Sequence, residues 1–215
     1  MSYKSESDLL ILHTLRIKGF TQSSGIAETT GLSAEEVEER LNSFQEENLV
    51  SYREGRIEGW MLTQQGREQS QELISAELES SGQQQQIDSS YQSFLSVNKT
   101  FLSLCTDWQL RTIEGEQEIN DHTDEAYDAE VIDRLTKINT VIQPVCEALS
   151  NYLDRFESYG RRFSYAVEKV QEGEHEWFTK PMIDSYHTVW FELHENLLST
   201  LGIERSKEVD ENDKE

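Results

Sequence analysis

Hydrophobic and polar positions in the first third of the chain follow the period of an α-helix. Residues 34–48 carry an apolar stripe on one predicted helix face: Val37, Leu41 and Phe44. Ser33 precedes this segment and Glu36 follows three residues later, which is the capping-box pattern of a helix N-terminus. Gly31 can adopt the left-handed conformation of a tight turn. The pattern therefore predicts two helices joined by a tight turn, the first of which closes at residues 26–30.

The pattern then changes to that of two short strands and a third helix. Residues 49–53 and 56–62 are predicted strands, with Glu54-Gly55 as the hairpin turn between them. Thr63 is predicted to cap a helix that runs from Gln64 to about residue 80.

The remaining two thirds of the chain are predicted to be helical. Helices are predicted at residues 84–106, 124–143, 145–153, 161–171 and 181–202, with a small hairpin at 110–113 and 117–119. Pro144 is expected to end or kink the helix before it, because proline cannot donate the interior hydrogen bond. Pro181 is expected in the first turn of the last helix. Gly82 and the glutamine run after it give the best domain boundary.

Charge is the feature of the composition that changes this picture. The chain has 215 residues, with 19 Lys+Arg against 42 Asp+Glu, so its formal net charge is −23. This balance excludes an ordinary basic nucleic-acid module, although clustered cations can still act locally. An even spread of acidic residues is also typical of adaptation to high internal salt, in which case the acidity would say nothing about partners.

Apolar runs are short throughout the chain. No segment approaches the length of a transmembrane helix, and no N-terminal run resembles a signal peptide. We therefore expect a cytoplasmic protein without a membrane partner. Cys105 and Cys146 lie among apolar neighbours and are predicted to be buried free thiols.

Three segments of the first third resemble the winged-helix domain of the MarR-like bacterial transcription regulators. They are the turn Gly31-Leu32-Ser33, the apolar residues Leu41, Phe44 and Leu49-Val50, and the exit Leu62-Thr63-x-x-Gly66. The resemblance covers roughly residues 5–80. It implies a winged helix-turn-helix fold, binding to double-stranded DNA and a homodimer whose symmetry matches that of its operator.

The DNA contacts expected from this resemblance lie on the helix after the turn and on the wing. They are Ser33, Arg40, Ser43, Arg53 and Arg56. Arg53 and Arg56 flank the wing turn, and a wing tip can reach phosphates or the minor groove. Arg40 is expected to pair with Glu36, one helical turn earlier.

The helix after the turn departs from the family pattern in its charge. Its solvent face carries four carboxylates: Glu35, Glu36, Glu38 and Glu39. Carboxylates beside phosphates oppose the attraction that dominates DNA affinity. Because winged helices also serve as protein-interaction modules, the alternative function is a DNA-silent docking or regulatory subunit.

The C-terminal part resembles the helical domain found behind winged helices in actinobacterial proteins described as transcriptional regulators. The resemblance rests on the segments TDWQL, NDHTD, WFTKP and DSYHTVWFELHE. Similar sequences are appended to phosphoenolpyruvate-utilising proteins. The resemblance implies a sensing, dimerising or docking domain, with a small-molecule effector or a protein as partner. Under the alternative function, the partner would be a phosphoenolpyruvate-utilising enzyme.

The predicted fold class is mainly α. A winged helix-turn-helix domain is predicted at residues 1–82 and an all-helical bundle at 83–203. The charged residues 204–215 are predicted to be a disordered acidic tail.

Seven polar and aromatic residues of the bundle are candidates for an effector pocket: Asp107, Trp108, His122, Trp177, Tyr186, His187 and Trp190. Such a mixture of apolar walls and a few polar groups is typical of ligand pockets. The alternative is that these residues simply close one end of the bundle.

Catalytic motifs are not visible in the sequence. The chain has no Gly-rich phosphate loop, no GxSxG and no CxxC pair, so we predict no enzyme, and no catalytic residue, metal ion or cofactor. His187 and His194 lie on one face of the last helix, and Asp184 precedes His187 by three residues. We expect His187 to be a core histidine hydrogen-bonded to Asp184, in preference to a metal ligand.

Overall fold

The computed structural model describes residues 2–55, 57–113 and 115–205. Helices dominate this part of the chain. They are α1 Ser7–Lys18, α2 Ser23–Thr30, α3 Ala34–Glu46, α4 Gln64–Ser81, α5 Gln84–Gln109, α6 Glu125–Tyr152, α7 Ser158–Gln171, α8 Glu176–Thr179 and α9 Tyr186–Leu201, with a 3-10 turn at Asp154–Phe156. Four strands form two hairpins: β1 Val50–Arg53 with β2 Gly59–Leu62, and β3 Leu110–Ile113 with β4 Glu116–Ile119. The mainly helical class is confirmed.

The described residues divide into two compact units. Unit 1 contains residues 2–87, 151–155 and 194–205, and unit 2 contains residues 88–150 and 156–193. The predicted domains were contiguous, with a boundary between residues 82 and 83. Unit 1 therefore includes residues 83–87, 151–155 and 194–203, which the prediction assigns to the bundle.

The core of unit 1 comes from the first three helices and the first hairpin. Its members are Ile11, Leu12, Leu15, Ile26, Val37, Leu41, Phe44, Leu49, Val50 and Leu62. The predicted apolar stripe of α3 is thus entirely buried. Gly31 ends α2 in the left-handed conformation, with φ of 73°. The Ser33 hydroxyl accepts the backbone N–H of Glu36 and caps α3 as predicted. The Glu36 carboxylate accepts a hydrogen bond from the Ser7 hydroxyl and leaves the capping box incomplete.

The first hairpin joins its strands in antiparallel register, with Val50 opposite Leu62 and Arg53 opposite Gly59. The second strand therefore begins three residues later than predicted. The Thr63 hydroxyl accepts the N–H of Gly66, so Thr63 caps α4 as expected.

Unit 2 corrects two predicted helix boundaries. The helix α6 runs through Pro144 without ending. Pro144 is exposed, and the buried residues Ile142, Cys146 and Leu149 on either side hold one continuous apolar face, which offsets the missing hydrogen bond. The helix α9 begins at Tyr186 rather than near Pro181, because the Ser185 hydroxyl accepts the N–H of Thr188.

Two further predictions for unit 2 are confirmed. The hairpin β3–β4 forms, with Leu110 opposite Ile119. Cys105 and Cys146 are buried free thiols, and burial raises the pKa of each to about 12. Within the described ranges, no helix has both the length and the apolar character needed to cross a membrane.

Candidate functional site

The helix α3 presents an acidic face to solvent. Glu35, Glu38 and Glu39 are exposed, and Glu36 is half-buried. Arg40 Nη1 lies 3.1 Å from Asp8 Oδ1 in an ion pair whose side chains are 48% and 41% exposed. The expected Arg40–Glu36 pair is therefore replaced by a contact with α1, a partner that helical spacing alone does not reveal. Arg40, the one cationic residue of α3, is thus paired with a carboxylate of the protein itself.

The other predicted DNA contacts differ in their availability. Ser33 is engaged as the α3 cap, and the Ser43 hydroxyl donates to Glu47 Oε1 at 3.1 Å. Arg53 is exposed at the end of β1, and its guanidinium has no hydrogen bond or ion pair with the described residues. Arg56 lies outside the described residues. Among the predicted DNA contacts that the structure describes, Arg53 is therefore the cation available to an anionic partner.

The seven predicted pocket residues lie in separate environments within unit 2. Asp107 Oδ2 accepts a hydrogen bond from Arg134 Nη2 at 2.7 Å. The Trp177 ring meets Tyr165 edge-on, with 5.2 Å between ring centroids, and its indole N–H donates to Glu174. These two residues have no ring contact or hydrogen bond with the other five within the described ranges.

Tyr186 and Trp190 belong to a packed aromatic core. The Tyr186 ring is fully buried between Phe101 and Phe163, and the Trp190 ring lies 4.4 Å from that of Phe101. The Trp190 indole N–H donates to Asn98 Oδ1 at 2.9 Å. Burial raises the pKa of the Tyr186 hydroxyl well above its ordinary value. For these two residues, the alternative of a packed bundle interior describes the structure better than a pocket.

His187 is half-buried, and burial lowers its pKa. The expected hydrogen bond from the His187 ring to Asp184 is not among the contacts of the described residues, because Asp184 accepts two hydrogen bonds from Arg162, at 2.8 and 3.0 Å. A third bond joins Arg162 to the buried Glu192 at 2.6 Å. Burial by itself lowers the pKa of Arg162, but the charges of Glu192 and Asp184 raise it by more. A bidentate guanidinium is a stronger partner for a carboxylate than an imidazole, which explains the correction.

Trp108 and His122 form a compact group with four residues that the sequence analysis did not single out. We call this group the Trp108 cluster: Trp108, Asn120, His122, Asp128, His175 and Phe178. The Trp108 ring stacks on Phe178, with 4.6 Å between ring centroids and 4° between ring planes. The His122 ring lies 4.4 Å from the Trp108 ring, and His175 meets the same indole edge-on at 5.3 Å. The two histidines therefore share one aromatic wall.

Asn120 organises the polar side of the Trp108 cluster. Its amide nitrogen donates to Asp128 Oδ1 at 2.9 Å and to the Trp108 carbonyl at 3.1 Å. His122 Nδ1 lies 2.9 Å from Asp128 Oδ2. His122 has a positive φ of 58°, and its backbone N–H donates to Asn120 Oδ1 at 3.3 Å. The turn after β4 thus aims the His122 ring at the first turn of α6, where Asp128 lies.

Six side chains form a second buried polar group, in unit 1. We call it the Arg155 cluster: Ser5, His13, Glu77, Arg155, Asn196 and Thr200. Arg155 Nε donates to Glu77 Oε2 at 2.7 Å, and Arg155 also donates to Asn196 and Thr200. His13 Nε2 lies 2.9 Å from Asn196 Oδ1, and burial, followed by the charge of Arg155, lowers the pKa of His13 well below its ordinary value. Most polar atoms of this cluster have internal partners, although His13 Nδ1 is buried without a hydrogen-bond partner within the described residues. The cluster stabilises the fold of unit 1.

Sequence reasoning missed Asp128 and His175 for different reasons. Asp128 reads as an ordinary acidic residue of a helix first turn. His175 lies far along the chain from His122. Its neighbour Trp177 was selected as a pocket candidate in its place. The sequence feature that could have indicated this site is the pair of histidines, His122 and His175, each next to a turn-forming segment of unit 2.

Comparison of the chain with protein-family models, with curated proteins and with solved structures finds no match.

Proposed function

We propose that this chain is a DNA-binding transcriptional regulator of the winged-helix type, in which unit 1 contacts DNA. The observation that carries the proposal is the local order of elements: α2, a left-handed turn at Gly31, α3 capped by Ser33, and then the antiparallel hairpin β1–β2. A helix-turn-helix places its second helix toward the major groove, and the hairpin corresponds to the wing. Unit 2 serves as the effector or dimerisation part, and the homodimer stays a prediction.

The hairpin is the principal DNA-contacting element in this proposal. Arg53 is exposed at the end of β1, whereas Arg40 shares its charge with Asp8. Phosphate contacts by arginine supply most of the affinity of such proteins, and each contact releases counterions. A wing contact therefore predicts weak binding that falls with added salt and has modest sequence preference.

A second candidate function is favoured by the charge of α3. Its exposed carboxylates Glu35, Glu38 and Glu39 are suited to a cationic protein surface rather than to phosphates. In this reading the winged helix is a DNA-silent docking module. Its partner would be a protein, such as the phosphoenolpyruvate-utilising enzymes that the sequence resemblance suggests.

The deciding experiment is selection of bound sequences from random double-stranded DNA by the full-length protein, followed by affinity measurements on the selected DNA. We expect Arg53→Ala to weaken binding to all sequences about equally and to reduce the salt slope by roughly 1. The double variant Glu35→Gln/Glu39→Gln should bind more tightly, because like-charge repulsion is removed.

Matched controls come from exposed positions of unit 2. Lys137→Ala removes a cation outside the proposed contact, and Glu130→Gln/Glu147→Gln removes two exposed carboxylates of α6. Both should leave affinity unchanged. If neither the natural protein nor the α3 double variant binds DNA at about 50 mM salt, where phosphate contacts are strongest, the docking function replaces the regulator.

A further inference from the structure

We infer that His122, Asp128 and His175 form a binding site for a divalent transition-metal ion, with Zn²⁺ as its natural probe. Each residue offers one ligand atom, and these three atoms lie within 4.8 Å of one another. Two imidazoles and a carboxylate suit first-row transition metals, whereas Mg²⁺ and Ca²⁺ prefer sites made of oxygen ligands. The inference departs from the sequence-based prediction that the chain holds no metal.

The separations of the three ligands are close to those of a tetrahedral site. His122 Nδ1 and Asp128 Oδ2 are already 2.9 Å apart. Ligand atoms about 2.0–2.2 Å from a tetrahedral Zn²⁺ lie roughly 3.4 Å from each other. The most distant pair therefore has to approach by at most about 1.4 Å to reach that geometry. His175 is only partly buried, so a rotation of its side chain can supply this movement.

The Asp128 carboxylate is buried and has few partners that compensate its charge. The Asp128 side chain is 5% exposed, and its partners are the Asn120 amide and the His122 ring. No Lys or Arg within residues 2–55, 57–113 and 115–205 forms an ion pair with it. The His122 ring is a cationic partner of Asp128 only when it is protonated. A carboxylate buried beside a neutral imidazole is costly, and a bound divalent ion would compensate its charge.

The surroundings of the ligands also fit a metal site. The Asn120 amide N–H donates to Asp128 Oδ1, and Asn120 Oδ1 accepts the backbone N–H of His122 at 3.3 Å, so Asn120 is a positioning residue that orients two of the three ligands. Trp108 and Phe178 form an apolar wall beside the imidazoles. The His122 side chain is 33% exposed, which leaves the ligands accessible from solvent. Three protein ligands leave a fourth position for water or another small ligand.

The test is metal binding by the full-length protein after treatment with a chelator. Titration calorimetry with Zn²⁺ should show one site per chain, and Co²⁺ should give the visible absorption of a low-symmetry nitrogen and oxygen site. Mg²⁺ and Ca²⁺ should compete poorly. Zn²⁺ should also raise the melting temperature, because an ion that binds only the folded state stabilises it.

Variants separate this site from adventitious binding by histidines. His175→Gln should weaken Zn²⁺ binding by more than about 100-fold, the upper range for losing an outer-sphere group alone. Asp128→Asn should do the same, and His175→Gln keeps the test valid if that variant fails to fold. The matched control is His187→Gln, a half-buried histidine of unit 2 outside the Trp108 cluster.

Two results would overturn the inference. The first is the absence of Zn²⁺ binding by the natural protein. The second is an equal loss of binding in the folded His175→Gln and His187→Gln variants, or in neither of them.

Discussion

Replacing Arg155 with methionine should destabilise unit 1 by roughly 3–5 kcal/mol, the usual cost of removing one partner of a buried ion pair. The Arg155 and Glu77 side chains are only 2% and 3% exposed, and Arg155 Nε lies 2.7 Å from Glu77 Oε2. The substitution leaves the Glu77 carboxylate buried without its cation. It also removes the hydrogen bonds to Asn196 and Thr200, so we expect a value at the upper end of the range.

The reverse substitution tests the same pair from its other side. Glu77→Gln retains the shape of the side chain and its contact with Ser5, but leaves the Arg155 guanidinium without its carboxylate. In the double variant Glu77→Gln/Arg155→Met neither charge is left alone. Its destabilisation should be smaller than the sum of the two single effects by about 1–3 kcal/mol, the usual coupling of residues in one network.

Urea unfolding at pH 7, followed by circular dichroism, gives the free energies for this cycle. The matched control is the exposed pair Lys137–Asp133, whose side chains are 73% and 61% exposed. The same cycle there should show far smaller changes, because water screens exposed pairs. A loss below about 1 kcal/mol for Arg155→Met, which is typical of an ordinary surface or minor substitution, would refute the argument from burial.

Two further predictions concern unit 1. A Cβ added at Gly66 would lie 1.9 Å from the Leu49 carbonyl oxygen. Gly66→Ala should therefore lower the free energy of unfolding by about 1–3 kcal/mol or more, whereas the exposed control Gln65→Ala should not. Equal urea midpoints for the two variants would contradict this prediction. His13 has a folded-state pKa well below its unfolded value of 6.5, so the unfolded chain binds more protons as the pH falls through 6.5. Its contribution to stability is therefore complete above that pH and decreases below it, by at most about 1.4 kcal/mol per pH unit. Urea titrations between pH 7.5 and 5.5 should show a smaller loss in His13→Gln than in the natural protein, and identical slopes would contradict the assignment.

Local chemistry made much of unit 1 predictable. Turns and helix caps depend on contacts between residues that are close in sequence. The predicted turn at Gly31 and the predicted caps at Ser33 and Thr63 are confirmed. The apolar stripe of α3 was also correctly predicted, because its burial follows from helical spacing. Of the two effects expected of Pro144, it does not end the helix, because packing of α6 on both sides of the proline outweighs the loss of one hydrogen bond.

The candidate sites were harder to predict because their contacts join distant parts of the chain. Helical spacing predicts a hydrogen bond between His187 and Asp184. Asp184 instead binds Arg162, which lies 22 residues away in sequence. Likewise, His122 and His175 meet only because both pack against Trp108. Neither encounter has a periodic signal, so the sequence identified Trp108 and His122 without their partners.

The helix α3 has the highest density of negative charge among the described helices. Ala34–Glu46 holds five glutamates and one arginine, a net charge of −4 in 13 residues. Ser158–Gln171 holds three cations and one glutamate, a net charge of +2 in 14 residues, and Gln84–Gln109 is −1 in 26 residues. Gln64–Ser81 is −3 in 18 residues and Glu125–Tyr152 is −3 in 28, so acidic residues also occur on other helices, at a lower density than on α3.

The density of exposed carboxylates on α3 affects how a partner can approach this helix. A DNA contact made by α3 would bring these carboxylates against phosphates, so cations would have to be taken up from solution and affinity would rise with added salt. A contact made by Arg53 on the hairpin releases cations instead, and affinity falls with added salt. The sign of the salt dependence thus identifies which element of unit 1 faces the DNA, and the proposed wing contact requires the negative sign.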